Sequence, residues 1–169
     1  GRAIWAAAFS PDGRTLVTGD GQGNVIVWDV SEGRAIETLE GHNDAITGVA
    51  FGPDGRTLYT ASADSTARIW DVAGYRRLAR PFRTNSVSDP GASSPRAFAL
   101  SPDGHTLAAA RRDGRVDLID AQTLRRTGGF EAFADRSALA IQYSPDGSRL
   151  AVAGQGGGVG VWDAGSGKR

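Results

Sequence analysis

The chain has 169 residues, no cysteine, no methionine and one lysine against 18 arginines, with 40% hydrophobic and 22% charged residues. Without cysteine it can form no disulfide, no thiolate metal site and no cysteine nucleophile, and no apolar run approaches the roughly 20 residues that span a bilayer. The 19 basic and 19 acidic side chains cancel, so no summed field attracts nucleic acid or a membrane.

The absence of methionine leads us to expect a segment of a longer protein. No secretory signal pattern is visible, and we expect a cytoplasmic location. Charge is unevenly spread, because residues 1–72 carry 5 basic and 10 acidic groups whereas residues 73–136 carry 11 and 7. A local basic patch is therefore compatible with the neutral total. The 24 glycines indicate many turns.

One unit is repeated four times along the chain. The tripeptide Pro-Asp-Gly begins at four prolines spaced by 42, 49 and 43 residues, namely Pro11, Pro53, Pro102 and Pro145. Seventeen residues after each proline comes a hydrophobic residue followed by aspartate, at Trp28-Asp29, Trp70-Asp71, Ile119-Asp120 and Trp162-Asp163. Self-similarity with a period of 20–50 residues is the signature of stacked structural repeats.

Each copy predicts a series of short strands. In the second copy, residues 46–51, 57–61 and 66–71 have strand patterns, separated by a Pro-Asp-Gly turn and a Ser-Ala-Asp-Ser turn. Weaker fourth strands are predicted at 35–39, 75–82 and 124–130. Four strands per unit of about 42 residues form the blade of a β-propeller. The sequence thus predicts an all-β fold of four antiparallel blades, the last lacking its outer strand. The approximate blade boundaries are 1–40, 41–83, 84–136 and 137–169.

At these residues the chain resembles the WD-repeat (tryptophan-aspartate repeat) family of β-propellers, and the resemblance covers nearly the whole sequence. The second copy carries both family signatures, Gly41-His42 and Trp70-Asp71. Family propellers usually close with six to eight blades. The resemblance therefore implies either that further blades belong to a longer chain or that two chains complete a ring as a homo-oligomer.

Four residues of the second copy have two alternative interpretations, one catalytic and one structural: His42, Thr60, Asp64 and Trp70. A histidine with a hydroxyl and a carboxylate has the composition of a nucleophilic site. The resemblance implies instead a buried hydrogen-bond chain, and we favour this structural tetrad because each buried polar group needs a partner. Asp113 matches Asp64 in the third copy, but Gln22 and Gly156 stand at this position in the other two. We therefore expect the other blades to be held by apolar burial and not by this buried polar chain.

No other motif supports a cofactor, a metal or a catalytic residue. The glycine-rich stretches at 19–23 and 156–158 do not precede a helical pattern, which nucleotide-binding loops require. The only other histidine, His105, falls in a predicted turn, and two histidines without a carboxylate cluster do not make a zinc site. We therefore predict a protein that is not an enzyme.

The resemblance implies that partners bind where loops enter the first strand and where the second strand turns into the third. The aligned positions predicted to be exposed near the start of the first strand are Trp5, Thr47, Arg96 and Leu139. The aligned turn positions are Gly21, Ala63, Arg112 and Gln155. Trp5 and Arg96 stand out because tryptophan and arginine dominate interface hot spots. Trp5 has an alternative role in contacting a further blade.

Arg111 and Arg112 add a predicted basic cluster in the turn of the third blade. Its alternative is a solvated turn that pairs with Asp113, since exposed ion pairs are common. The candidate partner-binding residues are thus Trp5, Thr47, Arg96, Arg111, Arg112, Leu139 and Gln155. The extra length at 83–95 predicts a long loop, which marks a binding face or a disordered segment.

The resemblance implies a non-catalytic scaffold that binds a protein or peptide within a larger regulatory or signalling protein. The alternative is the sensor or regulatory tail of a bacterial multidomain ATPase or transcriptional regulator whose active domain lies outside this segment. The arginine-, alanine- and glycine-rich composition favours a bacterial source. A membrane is not an expected partner, and nucleic acid is disfavoured.

Overall fold

A computed structural model describes residues 3–78, 82–83 and 95–169. The regular elements of these ranges are strands in four antiparallel sheets. The first sheet holds β1 (Ile4–Phe9), β2 (Thr15–Asp20), β3 (Val25–Asp29) and β4 (Arg34–Leu39). The second holds β5 (Ile46–Phe51), β6 (Thr57–Ser62), β7 (Thr66–Asp71), β8 (Arg76–Arg77) and β9 (Phe82–Arg83). The third holds β10 (Pro95–Leu100), β11 (Thr106–Arg111), β12 (Arg115–Asp120) and β13 (Arg126–Glu131). The fourth holds β14 (Ala138–Tyr143), β15 (Arg149–Gly154) and β16 (Val159–Asp163).

The predicted all-β fold with four blades is confirmed, including the missing outer strand of the last blade. The chain divides into two compact units, residues 1–84 and 85–169, with two sheets in each. In the described ranges no helix is long and apolar enough to cross a membrane.

The fourth strand of the second blade differs from its prediction as one strand at 75–82. It consists of two short pieces, β8 and β9, that both pair with β7. Trp70 pairs with Arg77, whereas Ala67 pairs with Phe82, so the outer strand carries more residues than the strand it follows. The predicted long loop at 83–95 falls mainly on residues 84–94, which lie outside the described residues.

In each unit, one sheet packs against the next through two different faces. The face of the first sheet built from Val17, Val25 and Val27, here called the valine face, is at most 1% exposed. It shares a core with Leu58, Trp70 and Val72 of the second sheet, here called the tryptophan face. In the second unit, the equivalent positions of the third sheet (Ala108, Val116 and Leu118) share a core with those of the fourth (Leu150, Trp162 and Ala164). Each blade therefore offers a valine face in one direction and a tryptophan face in the other.

Gly114 lies at the point where the turn after β11 approaches the loop between β13 and β14. Its φ is +82°, and a Cβ there would lie 1.9 Å from the carbonyl oxygen of Phe133. Gly157, at the equivalent turn of the fourth blade, has a φ of +90°, but a Cβ on it would meet nothing within 4 Å. We expect Gly157→Ala to cost about 1–2 kcal/mol through the positive φ alone.

Gly114→Ala is expected to destabilise the second unit clearly more than Gly157→Ala, because it adds a backbone clash to the same φ penalty. Chemical denaturation of both variants measures the difference. Equal loss of unfolding free energy in the two variants would show that the turn of the third blade does not press against the loop that follows.

Candidate binding surface

The first strand of every sheet bulges at the same position, close to its start. In β1 the register shifts between Ile4 and Ala6, and equivalent shifts occur in β5, β10 and β14. The residues at these bulges are the four predicted positions Trp5, Thr47, Arg96 and Leu139. A bulge re-aims the side chain of its extra residue. Trp5 is 62% and Leu139 is 40% exposed, whereas Thr47 and Arg96 are half-buried.

The turn between the second and third strands lies beside the bulge. In the first, second and fourth blades, a turn N–H donates to a backbone carbonyl just before the first strand, over 2.8–3.1 Å. The donors are Gly21, Ala63 and Gln155. A Cβ on Gly21 would lie 3.2 Å from Nε1 of Trp5, so the indole rests against this turn. The structure thus brings the two sets of predicted positions together in these three blades.

Two side chains that the sequence did not indicate, Phe133 and Arg136, lie in the loop before β14 and border the turn of the fourth blade. A Cβ on Gly154 would lie 2.9 Å from Cε2 of Phe133, and one on Gly158 would lie 3.2 Å from Nη1 of Arg136. The guanidinium of Arg136 lies 5.9 Å from the Phe133 ring centroid, and its Nε donates to Asp135 over 2.9 Å. The one feature of the sequence that could have indicated these two residues is their position in the loop before β14.

Arg111 does not belong to an exposed basic turn, and that prediction is wrong. Its side chain is 4% exposed, and its Nη1 donates to Asp117 over 2.7 Å. The carboxylate of Asp113 lies 3.6 Å from Nη2. The reason is that Asp117 occupies an inner position of β12 and holds the guanidinium in the blade. Arg112 is exposed at the same turn and is the member of the predicted pair that remains accessible.

The first and third blades have the apolar cores that were predicted, but each also holds a buried polar group that was not. Asp20 is fully buried, and its Oδ1 accepts hydrogen bonds from the backbone N–H groups of Gln22 and Asn24 over 2.8 and 2.9 Å. Asp117 accepts a second hydrogen bond, from Nε of Arg126 over 2.7 Å. Each of these blades therefore has its own buried carboxylate with named donors.

The predicted tetrad of the second blade forms one continuous hydrogen-bond chain. Nε1 of Trp70 donates to Oγ1 of Thr60 over 2.8 Å, and Oγ1 of Thr60 lies 2.8 Å from Nε2 of His42. Nδ1 of His42 lies 3.0 Å from Oδ2 of Asp64. The first blade keeps part of this chain, since Trp28 donates to Thr18 over 2.8 Å.

The protonation states of the tetrad favour a structural role. Burial lowers the pKa of His42, against the opposing hydrogen bond and charge of Asp64, so the imidazole is neutral at pH 7. Burial raises the pKa of Asp64, but hydrogen bonds from Thr66, the Asn43 backbone and His42 outweigh it and bring the value to about 2. The Thr60 hydroxyl is in a residue only 2% exposed. A hydroxyl so enclosed cannot reach a substrate as a nucleophile.

Neither the tetrad nor its surroundings resemble a metal centre. Among the residues that the structure describes, no group of three or more histidine, aspartate and glutamate side chains is arranged to hold an ion. The side chains exposed at the loop ends include the indole of Trp5 on the first blade, and Leu139, Gln155 and the guanidinium of Arg136 at the fourth.

The sheets are antiparallel, and within each unit the valine face of one packs on the tryptophan face of the next. One sheet also contains a hydrogen-bond chain of indole, hydroxyl, imidazole and carboxylate. These features define a propeller-repeat protein of the tryptophan-aspartate type. The family model for the WD domain, G-beta repeat, matches residues 1–29, 33–71 and 131–163, which make up more than half of the chain. The chain belongs to the WD40 family. Most of the third blade, residues 84–130, lies outside the matched residues, and it carries Ile119 at the position of the family tryptophan.

Several curated proteins are similar to parts of the chain. Autophagy-related protein 16 of Arabidopsis thaliana is 30% identical over 122 residues, which cover 69% of this chain and 21% of that protein. A probable serine/threonine-protein kinase, PkwA, of Thermomonospora curvata is 49% identical over 43 residues, or 25% of this chain and 6% of that protein. The chain thus spans about a fifth or less of the length of these relatives. Proteins built on WD40 repeats generally serve as scaffolds for protein interactions.

Proposed function

We propose that this segment is a non-catalytic module that binds a protein or peptide at the loop ends of its blades. The observation that carries the proposal is the exposed indole of Trp5, which a β-bulge turns outward and the Gly21 turn supports from below. A rigid, amphipathic aromatic side chain on a fixed backbone is a typical interface anchor, because little conformational entropy is lost when it is buried.

The second unit offers a similar arrangement with different chemistry. Leu139 occupies the bulge, Gln155 lies in the adjacent turn, and both are exposed. Arg136 stands at the same end and is held by Phe133 and Asp135. A surface that binds a peptide typically combines apolar contact, hydrogen-bonding groups and arginine side chains, and this end of the fourth blade has all three.

A Trp5→Ala variant is expected to lose most of its affinity for a peptide partner. The probe is a random peptide library displayed on phage, selected against the full chain, with binding of the recovered peptides measured by fluorescence polarisation. Loss of an aromatic hot spot costs about 2 kcal/mol or more, so we expect affinity to fall at least about tenfold. The unfolding free energy should change by less than about 0.5 kcal/mol, since the side chain is largely exposed.

Phe9→Ala is the matched control for this experiment. Phe9 belongs to the same strand and is 61% exposed, but it lies on a sheet face away from the loop end. Unchanged peptide affinity is expected for this variant. If Trp5→Ala bound the selected peptides as well as the parent, or if Phe9→Ala lost them equally, binding at the loop end would be contradicted.

A regulatory role within a larger enzyme is the second candidate function. Its support is the local similarity to a bacterial kinase, of which this chain matches only 6%. A sensor module in such a protein would bind its ligand through the same loop ends, so the same Trp5 experiment applies to both. Comparing the catalytic output of the full-length parent protein with and without this segment separates the two roles.

A further inference from the structure

The third and fourth sheets enclose a cleft of about 530 Å³ at the end of the second unit opposite the loop ends. One wall comes from Leu118 and β13 of the third sheet, and the other comes from the turn at 164–167 that follows β16. The Pro-Asp-Gly turns of both blades border its mouth through Asp103 and Gly147. This volume lies in the range of sites that bind small molecules.

A glycine opens the wall that β13 contributes. Gly128 takes the position in β13 that Glu37 has in β4, as the strand pairings show. It lies on the same side of its strand as Phe130, two residues away, whose ring stacks on Trp162 of the fourth sheet at 5.8 Å. A Cβ on Gly128 would meet nothing within 4 Å. The space that a larger side chain would fill is therefore part of the cleft.

The turn that forms the second wall is fixed by its own hydrogen bonds. The Gly167 N–H donates to the Asp163 carbonyl over 2.9 Å, and the Asp163 N–H donates to the Lys168 carbonyl over 2.8 Å. The chain thus leaves this turn beside β16 and does not cross the cleft. A Cβ on Gly167 would lie 2.8 Å from Cβ of Phe130, so the turn rests against the third sheet and the cleft is preformed.

A buried tyrosine hydroxyl without a partner faces this cleft. Tyr143 lines the cleft and is only 7% exposed, and its hydroxyl makes no hydrogen bond to any residue that the structure describes. The aligned residues of the other blades are Phe9, Phe51 and Leu100, so packing at this position does not require a hydroxyl. Buried tyrosines usually have a partner for the O–H group. The exception at Tyr143 therefore points to a ligand.

Asp103 gives the cleft a negative charge. Its Oδ1 accepts hydrogen bonds from the Ser101 hydroxyl and the His105 N–H, which lower the pKa of Asp103 and keep it ionised at pH 7. Burial, and then the charge of Asp103, raise the pKa of Tyr143 to about 12, so the carboxylate acts on a protonated phenol. Among the described residues, no arginine or lysine lines the cleft. Its charge therefore favours a cation over an anion.

We propose that this cleft binds a primary ammonium group on a short alkyl stem, with the carboxylate of Asp103 and the hydroxyl of Tyr143 as its acceptors. An ammonium carries three donors, and the hydroxyl of Thr106, which also lines the cleft, is available to the third. Leu118 and Phe130 provide apolar surface for the stem. The site lies at the other end of the blades from the loop ends and does not depend on the proposed peptide binding.

Titration of the full chain with butylammonium chloride, followed by fluorine NMR, tests the proposal. The three tyrosines of the chain are labelled as fluorotyrosine, and Tyr143→Phe identifies the Tyr143 signal by its loss. We expect a saturable shift of that signal alone with butylammonium and none with butanol, which has the same stem without the charge. Equal shifts with both probes, or no shift with butylammonium, would overturn the ammonium site.

Asp103→Asn is expected to weaken butylammonium binding about tenfold, because the hydrogen bond to a charged acceptor is lost. Asp146→Asn is the matched control. Asp146 belongs to the Pro-Asp-Gly turn of the fourth blade and accepts a hydrogen bond from Ser144 in the same way, but it does not line the cleft. This control should bind as the parent does, and an equal loss in both variants would contradict the site.

Two further variants separate binding from folding. Gly128→Val fills the cleft where a Cβ meets nothing within 4 Å, so it should abolish the butylammonium shift while unfolding at the same urea concentration as the parent. Full binding in this variant would place the ligand elsewhere. Tyr143→Phe should also unfold as the parent does, because its hydroxyl has no partner to lose. A clearly lower midpoint would show that the fold itself uses this hydroxyl, and would overturn its role in the site.

The capped peptide acetyl-Gly-Lys-Gly-amide distinguishes two sources of the ammonium. Tighter binding of this peptide than of butylammonium would assign the cleft to a lysine side chain of a partner. Weaker binding of the peptide would assign it to a free alkylamine. Either result supports an ammonium site, whereas a chain that binds neither probe would overturn it.

Discussion

Replacing Asp64 with alanine is expected to lower the unfolding free energy of the first unit by about 2–3 kcal/mol, because three donors, among them the buried imidazole of His42, lose their acceptor. Nδ1 of His42, the Asn43 N–H and the Thr66 hydroxyl all lie within 3.0 Å of its carboxylate. Thermal and urea denaturation measure the loss. Asp135→Ala, which removes a carboxylate that is 71% exposed, is the control and should be nearly neutral.

The Asp64 contribution also has a defined pH dependence. The pKa of Asp64 is about 2 in the folded chain, below its ordinary value of 3.8, so the folded state binds the proton less tightly than the unfolded state. The stabilisation is therefore complete above about pH 4 and lost as the pH falls toward about 2. Asp64→Ala should flatten the fall of stability in this window. A variant as stable as the parent at pH 7 would contradict the structural role of the tetrad.

Replacing Asp117 with alanine is expected to destabilise the second unit by about 3–5 kcal/mol, the cost of leaving a buried charge without its partner. The guanidinium of Arg111 is 4% exposed and donates to Asp117 over 2.7 Å. Its Nε and Nη2 have no hydrogen-bond partner among the described residues, and the carboxylate of Asp113, 3.6 Å from Nη2, lies beyond hydrogen-bond distance of it. Arg126 is 56% exposed and can return to water.

A double variant separates the cost of the unpaired charge from the net contribution of the ion pair to the unfolding free energy. Arg111→Met with Asp117→Leu removes both charges and keeps the volume, and apolar replacement of a whole buried pair is often neutral or stabilising. We therefore expect the double variant to recover most of the stability lost in Asp117→Ala. If Asp117→Ala were as stable as the parent, or if the double variant were the less stable of the two, the buried pair would not hold the blade.

The repeat made the strands and the bulge positions predictable. Because Pro-Asp-Gly and the hydrophobic-aspartate pair recur at a fixed interval, aligning the copies places Trp5, Thr47, Arg96 and Leu139 at one structural position. The register shifts occur at that position in all four sheets. The tetrad did not come from this alignment, because only the second copy has the Gly-His pair; it was implied by the resemblance to the WD-repeat family.

The side-chain partners inside the other blades were not predictable in this way. Asp117 has no carboxylate counterpart in the other blades, so the repeat does not predict one there. The residues at the equivalent position are Ile26, Arg68 and Gly160. Arg111 and Arg112 are adjacent in sequence, but Arg111 ends β11 and is buried, whereas Arg112 begins the turn and is exposed. Pairing of this kind depends on three-dimensional contact and not on the repeat.

The loop-end surface is tested most directly by hydrogen–deuterium exchange of the full chain with and without a peptide selected against it. Slower exchange is predicted for backbone amides around Trp5 and the Gly21–Asn24 turn, or around Leu139 and the turn at 155–158. The outer strand β4 should be unchanged. Protection confined to the outer strands, with none at the loop ends, would contradict the binding surface assigned to this protein.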